Sequence, residues 1–111
     1  MIVKLAAVDD FKPNTWYEFS LESSKGLMSI MVQYINNQYV AFENFCPHQG
    51  RRMDYATGKF LISDSETIVC PAHGAEFNPL NGLCINGPCL GESLKPIKIK
   101  ANEEDIFAII E

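Results

Sequence analysis

Two five-residue stretches hold both histidines of the chain. CPHQG covers residues 46–50 and CPAHG covers residues 70–74. Each sets a thiol and an imidazole one or two residues apart, as Cys46-x-His48 and Cys70-x-x-His73. A thiolate and an imidazole so close can point into one site from a tight turn. The closing Gly50 and Gly74 let the backbone curl away without a Cβ clash. Brought together across residues 49–69, the loops make a Cys2His2 donor set. One tetrahedral zinc could take all four ligands. A [2Fe–2S] cluster would divide them, two Cys on one iron and two His on the other. Spacing alone leaves both open.

The elements that must hold these loops read as β. Residues 27–35 and 38–42 are β-rich, and Asn36-Asn37 between them suits a two-residue hairpin turn. A third strand is expected at 16–21, ending at the Ser-Ser-Lys-Gly turn of 23–26. Residues 97–101 alternate strictly, as a half-buried strand does, and 106–110 can pair with them across 102–105. Helical turns are expected only near Val8 to Phe11 and Arg51 to Tyr55. Loop formers gather in the middle: residues 44–91 hold six of the 7 glycines, four of the 6 prolines and every Cys and His. The expectation is an all-β chain, one domain over 1–111. Its antiparallel sheet scaffold spans 1–43 and 92–111, with a loop-rich metal-binding subdomain inserted at 44–91.

Composition narrows the function. At 111 residues the chain has room for one modest core. Its 47% hydrophobic and 21% charged residues are those of an ordinary folded protein. No apolar run approaches the roughly 18 residues of a membrane span, and the N-terminus lacks a secretory pattern. The expected address is the cytoplasm, with no membrane partner. Net charge is −5 and no basic stripe is present, which argues against nucleic acid. Arg51-Arg52 is either a solvated pair or a dock for an acidic partner. In the cytoplasm four cysteines favour metal over disulfides, and Cys84 and Cys89 are expected to be reduced thiols outside the ligand set.

Together with the residues beyond them, the two loops resemble the Rieske iron–sulfur domain. In that family C-x-H and C-x-x-H pairs precede a Phe, a Thr/Asn-Gly turn, a Gly-Pro pair over the cluster and a Leu before a final strand pair. Phe77, Asn81-Gly82, Gly87-Pro88 and Leu94 stand here in that order. The resemblance implies a Rieske-type [2Fe–2S] cluster, with Cys46 and Cys70 on the inner iron and His48 and His73 on the outer, surface-near iron. Pro47, Pro71, Gly87 and Pro88 would stiffen and cover the cluster loops. High-potential relatives carry one more Cys in each loop, joined by a disulfide. Arg51 and Ala72 occupy those positions. Ala75 and Phe77 replace the Ser and Tyr whose hydroxyls donate to sulfur in the same relatives. Fewer donors disfavour the added electron, so the potential is expected near the low end of the Rieske range, about −150 mV. The inter-loop segment, 49–69, is somewhat longer than in ring-hydroxylating ferredoxins.

The resemblance also limits the activity. A terminal oxygenase needs a mononuclear iron on two further histidines and a carboxylate, and both histidines are already used. No G-x-G-x-x-G is present, and no histidine is spare to act as a base. What remains is a small electron carrier, expected to be a monomer, serving a reductase and an oxygenase or another acceptor. The alternatives are a small subunit of an NAD(P)H nitrite reductase-like enzyme and a zinc-bound structural module.

Overall fold

The computed structural model describes residues 1–47 and 50–110. The chain begins with strand β1 (Ile2–Ala7), then one 3-10 turn at Val8–Asp10. Next come β2 (Trp16–Ser23), β3 (Gly26–Ile35) and β4 (Gln38–Glu43), three antiparallel neighbours. Asn36 and Asn37 close the β3–β4 hairpin at φ 51° and 62°. Two successive left-handed residues are what a type I′ turn requires, and Asn tolerates them. The 3-10 turn meets the expectation near Val8 to Phe11. The strands over 16–23, 26–35 and 38–43 meet theirs to within one or two residues.

Residues 54–86 form a second unit: β5 (Asp54–Ala56), β6 (Lys59–Ile62), β7 (Ile68–Val69), β8 (Glu76–Phe77) and β9 (Cys84–Asn86). They pair in sequence order as a five-stranded antiparallel meander. The region is loop-rich, as expected, and its loops hang on a sheet. One expectation needs correction here: residues 51–55 make no helical turn. The buried Asn44 carboxamide accepts the Met53 and Asp54 amides at 2.9 and 3.3 Å, which takes up donors a helix would direct along its own axis.

The chain returns through β10 (Lys98–Ala101) and β11 (Asp105–Ile109), and β1 lies on the far side of β11. The flanks therefore form two three-stranded sheets where one was expected. Residues 95–97 run along β4, with Glu43 N–H donating to Lys95 O and Ile97 N–H to Ala41 O. The same run continues into β10 and carries one sheet into the other.

Strand β3 lies between two cores. Ile30 and Val32 join Leu21, Ala41, Ala108 and Ile110 between the two scaffold sheets. Met31, one residue out of phase, joins Trp16, Phe42, Met53, Ile68, Phe77 and Leu94 beneath the meander. The period of two places successive side chains on opposite faces, so burial on both faces removes the polar alternation. Among the described residues no helix is long and apolar enough to cross a membrane.

Candidate metal centre

The two cysteine stretches fold by the same hydrogen-bond pattern. Cys46 N–H donates to Arg51 O at 2.6 Å, and Cys46 O accepts from Gly50 N–H at 2.8 Å. Cys70 N–H donates to Ala75 O at 2.8 Å, and Cys70 O accepts from Gly74 N–H at 2.9 Å. Each cysteine is thus clamped by the residues four and five places on, at the root of a closed loop. Gly50 and Gly74 stand at φ 65° and 73°, a conformation that costs a Cβ-bearing residue about 1–2 kcal/mol. The repeated Cys and Gly are the two ends of one clamp. The shifted histidine lies in the span between them.

A third clamp has the same plan. In NPLNG, residues 78–82, Asn78 N–H donates to Leu83 O at 2.9 Å and its carbonyl accepts Gly82 N–H at 2.8 Å. Pro stands second and Gly fifth in all three stretches. The shared Pro-x-x-Gly spacing was legible in the sequence, and the absence of metal donors from the third copy hid it. Its glycine has a packing role too, since a Cβ on Gly82 would lie 2.6 Å from Phe42 Cε1.

The segment after β9 closes over the second loop. A Cβ on Gly87 would lie 2.8 Å from the Ala75 Cα, at φ 104°, so only glycine lets the two backbones meet. Cys84 and Cys89 flank this segment, both buried, with sulfurs 3.1 Å apart and Cys89 donating. Cys84 in turn donates to Asn86 O at 3.4 Å. Both are free thiols, as expected from the sequence. Cys46 belongs to the same buried cluster as Cys89. Burial, then the Cys84 hydrogen bond and the neighbouring sulfur charges, push the Cys89 thiol up to about 12. Sequence reasoning missed this shared burial, because 43 positions along the chain separate Cys46 and Cys89.

Polar contacts anchor the first loop to the scaffold. Asn44, fully buried two residues before Cys46, donates from its backbone N–H to Ser29 O and from Nδ2 to Ser29 Oγ. Ser29 Oγ donates to Glu18 at 2.7 Å. Arg52 grips Asp54 with two hydrogen bonds of 2.8 and 2.9 Å and reaches Glu18 at 3.5 Å. Burial pushes the Asp54 carboxyl up. Hydrogen bonds from Arg52, Asn44 and the Gly58 amide, with the Arg52 charge, outweigh it and hold the group below its usual value. Arg52 is therefore engaged within the chain, although both arginines are exposed. Across the meander, Glu76 accepts from Thr67 at 2.7 Å and from Asn86 at 3.0 Å. These bonds lower its pKa and tie β7, β8 and β9 together.

Cys46 and Cys70 are 1% and 2% exposed and belong to one buried cluster with Ala75, Cys84 and Cys89. His73 is exposed, while Pro47 and Pro71 are half-buried. His48 lies outside the described residues, and Gly87 and Pro88 are exposed on the segment over the second loop. Among the described residues no three His, Cys, Asp or Glu side chains converge as a metal site. The described donors fit three of the four ligands a [2Fe–2S] group needs: two sulfurs set in an apolar interior and an imidazole at the surface. Ala75 and Phe77, 1% and 0% exposed, bring no hydroxyl to these sulfurs.

Comparison with known proteins agrees with this geometry. Ferredoxin CarAc of Metapseudomonas resinovorans is 28% identical over 105 residues, covering 95% of this chain and 90% of that protein. The ferredoxin of carbazole 1,9a-dioxygenase from Nocardioides aromaticivorans IC177 superposes with a TM-score of 0.74 at 20% identity, over 100% of this chain and 99% of that one. The terminal oxygenase of carbazole 1,9a-dioxygenase from Novosphingobium sp. KA1 superposes with a TM-score of 0.80 at 16% identity, over 98% of this chain and 29% of the oxygenase. The last two likenesses show the fold. The family description "Rieske [2Fe-2S] domain" matches residues 1–102, and with nearly the whole chain matched, this protein belongs to the Rieske [2Fe-2S] domain family.

Proposed function

We propose that this protein is a small electron carrier in which Cys46, His48, Cys70 and His73 hold a Rieske [2Fe–2S] cluster. The observation that carries the reading is the duplicated clamp. It buries one sulfur at the root of each loop while His73 of the second loop remains at the surface. A [2Fe–2S] cluster supplies a single one-electron couple when bound. The chain's own part is to position and insulate. Buried Cys46 and Cys70 keep two donors away from water. Exposed His73 gives a partner an approach at the surface, and the Gly87-Pro88 segment limits solvent access from one side.

A ferredoxin is the function named for the relative CarAc, and a solved complex pairs a reduced oxygenase with an oxidised ferredoxin of carbazole 1,9a-dioxygenase. By that likeness this chain takes electrons from a reductase and delivers them to an oxygenase or another acceptor. It works as a monomer in the cytoplasm. The chain spans more than two thirds of both ferredoxins.

The test is an anaerobic reductive titration of the iron-reconstituted protein, monitored by visible absorption and circular dichroism. The reading requires a coloured protein that takes up one electron per chain and gives it back to a stoichiometric oxidant. A colourless, zinc-loaded protein with no couple would refute it.

A further inference from the structure

Cys84 and Cys89 have no place in the ligand set, yet the fold brings them together. A narrow turn does so. Cys84 N–H donates to Glu92 O at 2.8 Å, Cys89 O accepts Glu92 N–H at 2.8 Å, and Cys84 O accepts Gly91 N–H at 3.5 Å. The two sulfurs lie 3.1 Å apart. A disulfide bond spans about 2.05 Å, so closure brings them about 1 Å nearer. Between them stand Ile85, Asn86, Gly87 and Pro88, all exposed. A bond between the sulfurs closes a short ring around the segment that meets Ala75 through Gly87.

We propose that Cys84 and Cys89 are a reversible thiol–disulfide pair, oxidised by a small disulfide of the glutathione class, whose bridge pins the Gly87-Pro88 segment over the second loop. The inference goes beyond the electron-carrier reading and does not depend on it. In the first step one protein thiolate attacks a sulfur of the oxidant, the oxidant's S–S bond breaks, and a small thiolate leaves. In the second step the other protein thiolate attacks the mixed disulfide at the protein sulfur and expels a second small thiolate. The protein gives up two electrons and two protons, and the oxidant ends as two thiols. Burial keeps the pair quiet at rest. The residues are 1% and 2% exposed, the Cys89 thiol is pushed up to about 12, and the thiolate is the form that exchanges. Reaction therefore waits on a local opening of the exposed segment. A short ring restrains the unfolded chain less than a long one, which keeps the bridge within reach of thiol reductants. Both cysteines lie beyond the second loop, so this bridge differs from the inter-loop disulfide of the high-potential relatives.

The experiment equilibrates the folded, iron-reconstituted protein without oxygen in graded mixtures of reduced and oxidised glutathione. Acid quenching, denaturation, alkylation and peptide mass mapping then locate the free thiols. The expected result is a joint loss of alkylation at Cys84 and Cys89, in a peptide lighter by two hydrogens, reversed on return to reduced glutathione. Cys84→Ser and Cys89→Ser each stop at a glutathione adduct on the remaining thiol. Hydrogen exchange on the bridged wild type slows at Leu90 and Gly91, whose amides donate to Gly87 O and Cys84 O. The wild-type measurements decide alone if a variant fails to fold. Full alkylation of both thiols in the most oxidising mixture overturns the proposal. So does a bridge from either one to Cys46 or Cys70, or a glutathione adduct that persists on the wild type. Bridging with unchanged exchange at Leu90 and Gly91 overturns the claim that it pins the segment.

Discussion

At the scale of single residues, burial separates the cysteines less well than hydrogen bonding does. All four are 1–2% exposed. Only Cys46 and Cys70 sit at the root of a clamp whose backbone turns a loop around them. Replacing Cys70 with Ser should abolish the visible absorption of the reconstituted protein, whereas Cys84→Ser should leave it. Absorption spectra with iron analysis on both variants check this, and bleaching by Cys84→Ser would put Cys84 in the ligand set. The clamp carries a second expectation. Gly74→Ala has nothing within 4 Å of the new Cβ, so its cost is conformational, about 1–2 kcal/mol for φ 73°. Gly87→Ala meets Ala75 Cα at 2.8 Å as well and should cost more. Chemical denaturation of the two variants gives the order, and equal losses would contradict the close approach at Gly87. The candidate ligand cysteines and the clamp glycines were legible in the sequence because both are set by spacing within five residues. The shared burial of Cys46 and Cys89 was not, because it depends on where the segment after β9 comes to rest.

At the scale of elements, the legible strands were those with a local signature. The Asn36-Asn37 turn and the alternation of 97–101 needed no tertiary information. The short strands of the meander did. A strand of two residues, as at Ile68–Val69 and Glu76–Phe77, shows no period of its own, and partners on both sides hold it in place. Residues 51–55 likewise take their extended form from the distant Asn44 carboxamide. Asn44→Ala should leave the Met53 amide unsatisfied in a buried place, at a cost of about 1–3 kcal/mol. The loss should appear first as a loosened first loop. Hydrogen exchange resolves this: faster exchange at Met53 and Asp54, with the β2–β3 amides unchanged, is the expected pattern. Uniform acceleration would mean that Asn44 serves global stability alone.

For the whole molecule, the joint between the scaffold and the meander is polar at its edge. Arg52, 44% exposed, binds the almost fully buried side chain of Asp54 and reaches across to Glu18 on β2. Removing Arg52 leaves a buried carboxylate short of its partner, which costs several kcal/mol when both are fully buried. Solvent screening at the exposed arginine reduces this to about 1–2 kcal/mol for Arg52→Ala. The pH dependence comes from the direction of the Asp54 shift. Its folded pKa is below the unfolded value, so its contribution is complete above about pH 4 and is lost as pH falls through the folded value. Thermal melts from neutral pH down to about pH 3 should show a smaller acid loss in Arg52→Ala than in the wild type. Equal losses would mean that the pair does not set acid stability. That the flanks split into two sheets was not legible in the strands themselves, because the division depends on how residues 95–97 pass along β4.

The central claim is that two histidines and two cysteines of this one chain hold the cluster, and the chain has only 2 histidines. Labelling histidine alone with 15N and recording electron–nuclear double resonance on the reduced, reconstituted protein tests it most directly. The account predicts two strongly coupled histidine nitrogens, one from His48 and one from His73, with the 15N signature replacing that of 14N in the labelled sample. A reduced cluster with no strongly coupled histidine nitrogen, or with only one, would contradict it.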